Sequence, residues 1–326
     1  MRVLVTGAAG FIGFHVTAAL LARSETVIGV DNLSDYYDVA LKEARLARFA
    51  DEKGFTFRRL DIADKDAMTA LAAEFPDIDR VIHLAAQAGV RYSLINPHAY
   101  IHANVAGQLV VMETCRTLKN LSHLVYASSS SVYGGNTKLP FSVDDRVDNP
   151  VSLYAATKKS AELLAASYAH LYRLSMTGLR FFTVYGPWGR PDMAAFIFTR
   201  KILAGEEIAV FNNGDMKRDF TYIDDIVAGV LACLDPPPAA DGVGGPHRLY
   251  NLGNHRSEPL MRFIGLIEEA LGQKAKTRME PMQPGDVKET HADISAIQRD
   301  TGFSPTTTIA DGVPRFVDWY RTYHGN

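Results

Sequence analysis

The chain has 326 residues, enough for one large domain or two ordinary ones, and 47% are hydrophobic, which supports a sizeable core and argues against wholesale disorder. A net charge of −3, mixed along the sequence, makes nucleic acid a poor partner. No leader pattern precedes the first strand and no apolar run is long enough to span a bilayer, so a cytoplasmic protein with no membrane partner is expected, with Cys115 and Cys233 as buried reduced thiols.

In chain order, a strand at Val3–Thr6 runs into Gly7-Ala8-Ala9-Gly10-Phe11-Ile12-Gly13 and a helix at Ile12–Ala22. Gly7 permits a tight turn, Gly10 lets a pyrophosphate approach the backbone, and Gly13 allows helix and strand to pack closely. The free N–H groups at the helix start, at Phe11 and Ile12, then bind phosphate. The spacing is G-x-x-G-x-x-G, and its position between an N-terminal strand and a helix makes it a dinucleotide site rather than a packing turn. The strand Thr26–Val30 ends at Asp31, 18 residues past Gly13. A carboxylate there binds both ribose hydroxyls of NAD and repels a 2′-phosphate; Asn32 is no basic clamp, so the expected cofactor is NAD.

Helix Leu41–Phe49, strand Thr56–Arg59, helix Lys65–Glu74 and strand Arg80–Leu84 continue the alternation. His98 and His102 have i, i+4 spacing but no further ligand nearby, so no metal is expected. Helix Tyr100–Leu118 carries an apolar stripe of Val105, Leu109 and Met112, suited to core or to a dimer face. Strand His123–Ser128 opens the run Ser128–Ser131. Helix Tyr154–Tyr172 then places Tyr154 and Lys158 on one face, one turn apart. An ammonium beside a phenol favours the phenolate, and a serine hydroxyl can exchange a proton with it. That is equipment for moving a proton on and off an alcohol, and the glycine turn upstream suggests the hydride acceptor. After strand Ser175–Phe181, Pro187, Gly189, Pro191 and Gly214 break the pattern, with helices at Ala195–Ala204, Asp224–Leu234, Pro259–Leu271 and Ile309–Tyr323 and a loop over Asp235–Pro246. The βαβα order predicts an α/β fold: a doubly wound parallel Rossmann-type sheet over 1–182, with a smaller α+β substrate-binding lobe over 183–326. The segment 221–253 is a candidate to return to the first lobe.

These residues together resemble the extended short-chain dehydrogenase/reductase family, in its sugar-nucleotide epimerase branch. The resemblance rests on the glycine turn, His83-Leu84-Ala85-Ala86, Asn104, the serine run with Val132-Tyr133-Gly134, Tyr154-x3-Lys158, Arg180 through Pro187, and Arg218-Asp219-Phe220. Ala88 through Ser93, Trp188 through Met193 and Asp219 through Ile223 look similar to the UDP-glucuronate 4-epimerases. The resemblance implies Tyr154 as base, Lys158 as the holder of the nicotinamide ribose, and Ser129 as the hydroxyl shared with substrate. It places Asp61, Ile62, Leu84, Ala85, Ala86 and Gln87 along the cofactor, with Asn104 bracing the site. On the substrate side it implies Arg218 at the diphosphate and Arg190 and Asp286 beside the nucleotide, with Arg91 and Ser130 also among the substrate contacts. It also implies a homodimer built through helices.

Departures from the family patterns narrow the reaction. The 4,6-dehydratases carry an acidic pair after the catalytic hydroxyl residue, where this chain has Ser130 and Ser131; decarboxylases place a Glu where Ser131 stands. Galactose epimerases carry Asn where Thr183 stands, and a hydroxyl suits a carboxylate oxygen. The expected substrate is UDP-glucuronate, epimerised at C4 to UDP-galacturonate; UDP-glucose epimerisation and UDP-glucuronate decarboxylation are the alternatives.

Overall fold

The computed structural model describes residues 1–239 and 245–325, so part of the proline-rich loop after Asp235 lies outside the described residues. Strands and helices alternate through the first half: β1 (Arg2–Thr6), α1 (Phe11–Ala22), β2 (Thr26–Asp31), α2 (Val39–Ala47), β3 (Phe55–Arg59), α3 (Lys65–Glu74) and β4 (Arg80–His83). Next come α4 (Pro97–Tyr100), a π-helical turn at Ile101–Ala106 that leads directly into α5 (Gly107–Thr117), β5 (His123–Ser129), α6 (Leu153–Tyr172) and β6 (Met176–Phe181). The second half supplies β7 (Thr183–Tyr185), α7 (Ala194–Leu203), β8 (Glu207–Phe211), β9 (Lys217–Tyr222), α8 (Ile223–Leu234), β10 (His247–Leu252), β11 (Ser257–Pro259), α9 (Leu260–Leu271), β12 (Lys276–Glu280), α10 (Ser295–Thr301) and α11 (Ile309–His324).

Seven parallel strands form one sheet in the order β10-β6-β5-β4-β1-β2-β3. This is the doubly wound arrangement that the apolar runs predict, since strands covered on both faces need no polar side. Alternate residues feed opposite layers. Val3, Val5, Val27, Ile82 and Val125 join one core, against α1 and α8. Leu4, Ile28, Val81, Leu124 and Met176 join the other, with Met68, Val111, Met112 and Ala165 from α3, α5 and α6.

The chain returns to this sheet after leaving it. β10 pairs with β6 along its whole length, from His247 opposite Met176 to Leu252 opposite Phe181, and α8 packs on α1. The remaining strands make two small sheets, β11-β9-β7 and β12-β8, beyond the carboxyl ends of the large one. Their core is continuous with the α1 and α8 layer and centres on Phe220 and Phe263, stacked at 4.0 Å. Neighbouring strands β2 and β4 flank β1 on opposite sides, so the connections diverge at the end of β1. Ligands of such sheets bind at that point.

Candidate active site

The ends of β1, β2, β4 and β5 open on a cavity of about 910 Å³ that extends to the small sheets. Its floor is the glycine turn. Gly7 sits at φ +76°, and a side chain there would meet the Ala85 nitrogen at 2.7 Å. At Gly13 a Cβ would lie 2.0 Å from the Gly7 carbonyl, so only glycine lets α1 start this close to β1. The turn is fixed by Gly7 and Ala8 N–H donating to Val30 O and by Gly10 N–H donating to Gly7 O. No side chain caps α1 at Gly10, which leaves its first N–H groups for an anion.

Asp31 closes β2. Its carboxylate accepts from Leu33 N (2.8 Å) and Ala9 N (3.2 Å) and still lines the cavity; burial pushes its pKa up. Asn32 donates to Asp61 at 3.0 Å. Burial opposes the Asp61 charge, but hydrogen bonds from Ala63, Asn32 and His102 hold its pKa below the usual range. Leu84, Ala85, Ala86 and Gln87 form the wall under the turn, with Ala85 N–H donating to Thr6 Oγ1. Asn104 braces that wall from behind: it accepts from Gln87 N (2.8 Å) and donates to Gln87 O and Thr157 Oγ1. Asn104 is not among the residues lining the cavity and reaches it through Gln87. The π-helical turn carries it there.

The proton-handling group lies across the cavity. Ser152 caps α6 by accepting from Ala155 N, which aims Tyr154 and Lys158 inward. Ser129 Oγ ends β5 beside the Tyr154 phenol and accepts from Ser131 N at 3.1 Å. Burial raises the Tyr154 pKa; the Ser129 hydroxyl and the charge of Arg190 pull it back. Lys158 Nζ donates to Ala127 O at 3.0 Å, and burial lowers its pKa to about 8, against the charge of Glu162. The charge of Arg190 thus favours the Tyr154 phenolate. Lys158, the residue that sequence spacing points to, has its ammonium on the carbonyl of Ala127 near the end of β5.

On the far side, Asp286 bridges two arginines, Arg218 at 3.3 Å and Arg91 at 3.6 Å. Arg91 is half exposed and covers the Phe211 ring, whereas burial lowers the pKa of Arg218. Arg190 forks onto Asp192, which also accepts from Tyr36 Oη at 3.0 Å. Ser130 and Thr183 line the same cavity as these arginines and Tyr154. All the residues anticipated for substrate thus border one space with the cofactor turn.

Sequence reasoning missed several residues. Tyr36, Tyr37 and Lys42 line the cavity next to Asp31, and Asp192 holds Arg190. Lys42 and Arg45 stand three apart after the tyrosine pair, which is spacing for one helix face and the available signal. Glu162 was also missed: fully buried, it receives a forked pair from Arg180 (2.8 and 2.9 Å) and accepts from Ser128 at 2.6 Å. His102 borders the cavity and faces Asp61 at 3.4 Å.

Residues 3–253 match the model of the NAD dependent epimerase/dehydratase family. UDP-glucuronate 4-epimerase 4 of Arabidopsis thaliana is 50% identical over 334 residues, which span 99% of this chain and 76% of that protein. Protein CapI of Staphylococcus aureus is 49% identical over 336 residues, 99% of each chain. Among solved structures, UDP-glucuronic acid 4-epimerase from Bacillus cereus in complex with UDP-glucuronic acid and NAD superposes with a TM-score of 0.91 at 34% identity, covering 99% of this chain and 100% of that one. The glycine turn, the proton-handling group beside it and these likenesses agree, and the chain belongs to the NAD-dependent epimerase/dehydratase family.

Proposed function

We propose that this protein is an NAD-dependent isomerase, a UDP-glucuronate 4-epimerase that interconverts UDP-glucuronate and UDP-galacturonate. The observation that carries the reading is one cavity bordered by Gly7, Asp31, Ser129, Tyr154, Thr183 and Arg218, with serines at 130 and 131 in place of acids. The glycine turn, the uncapped start of α1 and the carboxylate of Asp31 suit a dinucleotide with two free ribose hydroxyls. Bound NAD supplies a hydride acceptor that becomes the donor on return.

The chain's own residues manage protons, charge and orientation. Tyr154 Oη takes the proton of the C4 hydroxyl, with Ser129 Oγ hydrogen-bonded to the same oxygen, and the sugar becomes a 4-keto uronate. Tyr154 returns the proton after the sugar has turned over about its diphosphate linkage. Lys158 holds the nicotinamide ribose. Arg218 binds the diphosphate, exchanging its contact with Asp286 for the ligand's charge. Arg91, Arg190 and Asp286 border the nucleotide and sugar. A 4-keto uronate is a β-keto acid, which loses CO₂ when the carboxylate bond aligns with the carbonyl π system. Thr183 and the serine run hold the carboxylate out of that alignment, and no acid stands at 130 or 131 to drive elimination.

The protein is also proposed to be a cytoplasmic homodimer. Leu163 and Leu171 on α6 are 60% and 62% exposed, Leu109 on the adjacent α5 is 40% exposed, and Cys115 and Cys233 are buried free thiols. Among the described residues no helix is long and apolar enough to cross a membrane. The test of function is product analysis by NMR, without added NAD, on UDP-glucuronate and separately on UDP-glucose. UDP-galacturonate from the first and no UDP-galactose from the second is the expected result. UDP-xylose or a 4-keto pentose would assign a decarboxylase, and UDP-galactose a glucose epimerase.

A further inference from the structure

Arg45 is an arginine with 0% exposure on α2, outside the proton-handling group and away from any carboxylate at ion-pair distance among the described residues. Burying such a charge is costly unless its donors are met. Its two terminal nitrogens are met by three backbone carbonyls and one phenol, while Nε has no partner among the described residues. Nη1 donates to the Ala9 carbonyl at 2.8 Å and to Tyr37 Oη at 2.8 Å; Nη2 donates to the Trp188 carbonyl at 2.6 Å and less closely to that of Gly189.

The two ends of this fork belong to different parts of the site. Ala9 lies inside the glycine turn, and its N–H is held by Asp31, so the same residue is clamped through its N–H by Asp31 and through its carbonyl by Arg45. Trp188 and Gly189 immediately precede Arg190, which lines the substrate side of the cavity. The loop leaves no slack. Trp188 is held at φ +60°, a conformation L residues rarely adopt, with its ring packed on Phe14 of α1 and on Trp319 and Tyr323 of α11. His15 of α1 meets the preceding Pro187 carbonyl at 2.9 Å. One guanidinium thus bridges the turn and the loop directly.

We propose that Arg45 is a positioning residue that couples the cofactor turn to the Trp188–Arg190 loop, so that filling one changes the placement of the other. The geometry allows this because one guanidinium bonds a carbonyl of each segment, so a displacement of either carbonyl changes the fork's contact with the other. The charge that Arg190 exerts on Tyr154 extends the link to the proton-handling group.

The chain has two tryptophans, Trp188 and Trp319, in ring contact at 5.4 Å. In a Trp319→Phe background, emission reports Trp188 alone. Adding NAD to cofactor-depleted protein is expected to shift that emission. With Arg45→Met, at NAD concentrations shown by equilibrium dialysis to fill the site, the shift is lost. Arg45→Lys keeps the charge but not the planar fork and should show less than half the shift; it carries the test if Arg45→Met does not fold. A Trp188 response to NAD in either variant equal to that of the parent overturns the coupling. On the holoenzyme, Arg45→Lys should also raise KM for UDP-glucuronate at least fivefold. That arm rests on the proposed substrate; the emission arm needs only NAD, so failure of the substrate reading and failure of the coupling are distinguished.

Discussion

Burial raises the pKa of the Tyr154 phenol, and the Ser129 hydroxyl and the charge of Arg190 act against it. If the phenolate is the base, activity is lost as pH falls through the pKa of this group, and anything that raises that pKa moves the acid limb upward. Arg190→Gln is therefore expected to shift the acid limb of the kcat–pH profile to higher pH, measured on substrate-saturated enzyme. An unmoved limb would remove Arg190 from the electrostatics of the base. Thr183→Val removes a hydroxyl assigned to the substrate carboxylate. Hydrogen bonds to charged groups contribute about 1.5–3 kcal/mol, so KM for UDP-glucuronate should rise roughly tenfold or more, with a larger share of CO₂ among the products. Unchanged kinetics and product ratio would take Thr183 out of the mechanism. At this scale the sequence is most legible where a residue type has few other uses, as with Gly7, Asp31 or the Tyr154 and Lys158 pair. It is least legible where a charge is buried. Arg45 and Glu162 read as solvent-facing helix residues, because helix periodicity assigns charge to water and carries no sign of the carbonyls or the arginine that meet them.

Glu162 and Arg180 connect elements rather than acting on substrate. Their forked pair joins α6 to β6; Ser128 adds β5, and Arg180 reaches on to Tyr133, which donates to Asn251 of β10. The helix bearing Tyr154 is thereby pinned to the strand bearing Ser129. Removing one partner of a buried pair leaves an uncompensated charge, at about 3–5 kcal/mol. Glu162→Gln should lower unfolding stability by that order in urea titration, and Glu162→Leu combined with Arg180→Met should recover part of the loss. A loss below about 1 kcal/mol would show that the pair does not anchor α6. Element recognition follows the same physics. β1, β2, β4, β5 and β6 are buried on both faces and stand out as apolar runs, and their boundaries agree with the sequence reading to within a residue. β7 and β11 have three residues each, and β12 is almost wholly exposed, so neither length nor apolar periodicity marks them. The stripe Val105, Leu109, Met112 divides in the structure: Met112 is core, while Leu109 points outward.

For the whole molecule, the outward residues on α5 and α6 predict an assembly. Leu163→Glu together with Leu171→Glu places two charges on the exposed face of α6 without touching the core. Sedimentation should show the parent at twice the chain mass and the double variant at the chain mass. A parent that sediments as a monomer would overturn the dimer.

The return of α8 and β10 to the large sheet has a consequence for how the protein can be divided. The chain enters the outer region after β6, comes back for α8 and β10, and leaves again for β11. A fragment ending at residue 182 would keep every residue of the glycine turn and of the Tyr154 helix, yet it would present β6 as a bare edge and strip α1 of its packing partner. Such a piece is expected to aggregate, and only co-expression with the remainder should restore NAD retention in a pull-down. The two halves of this active site are therefore not exchangeable modules: a new substrate preference has to be reached by changing loops such as Trp188–Arg190 in place, within one interlaced chain.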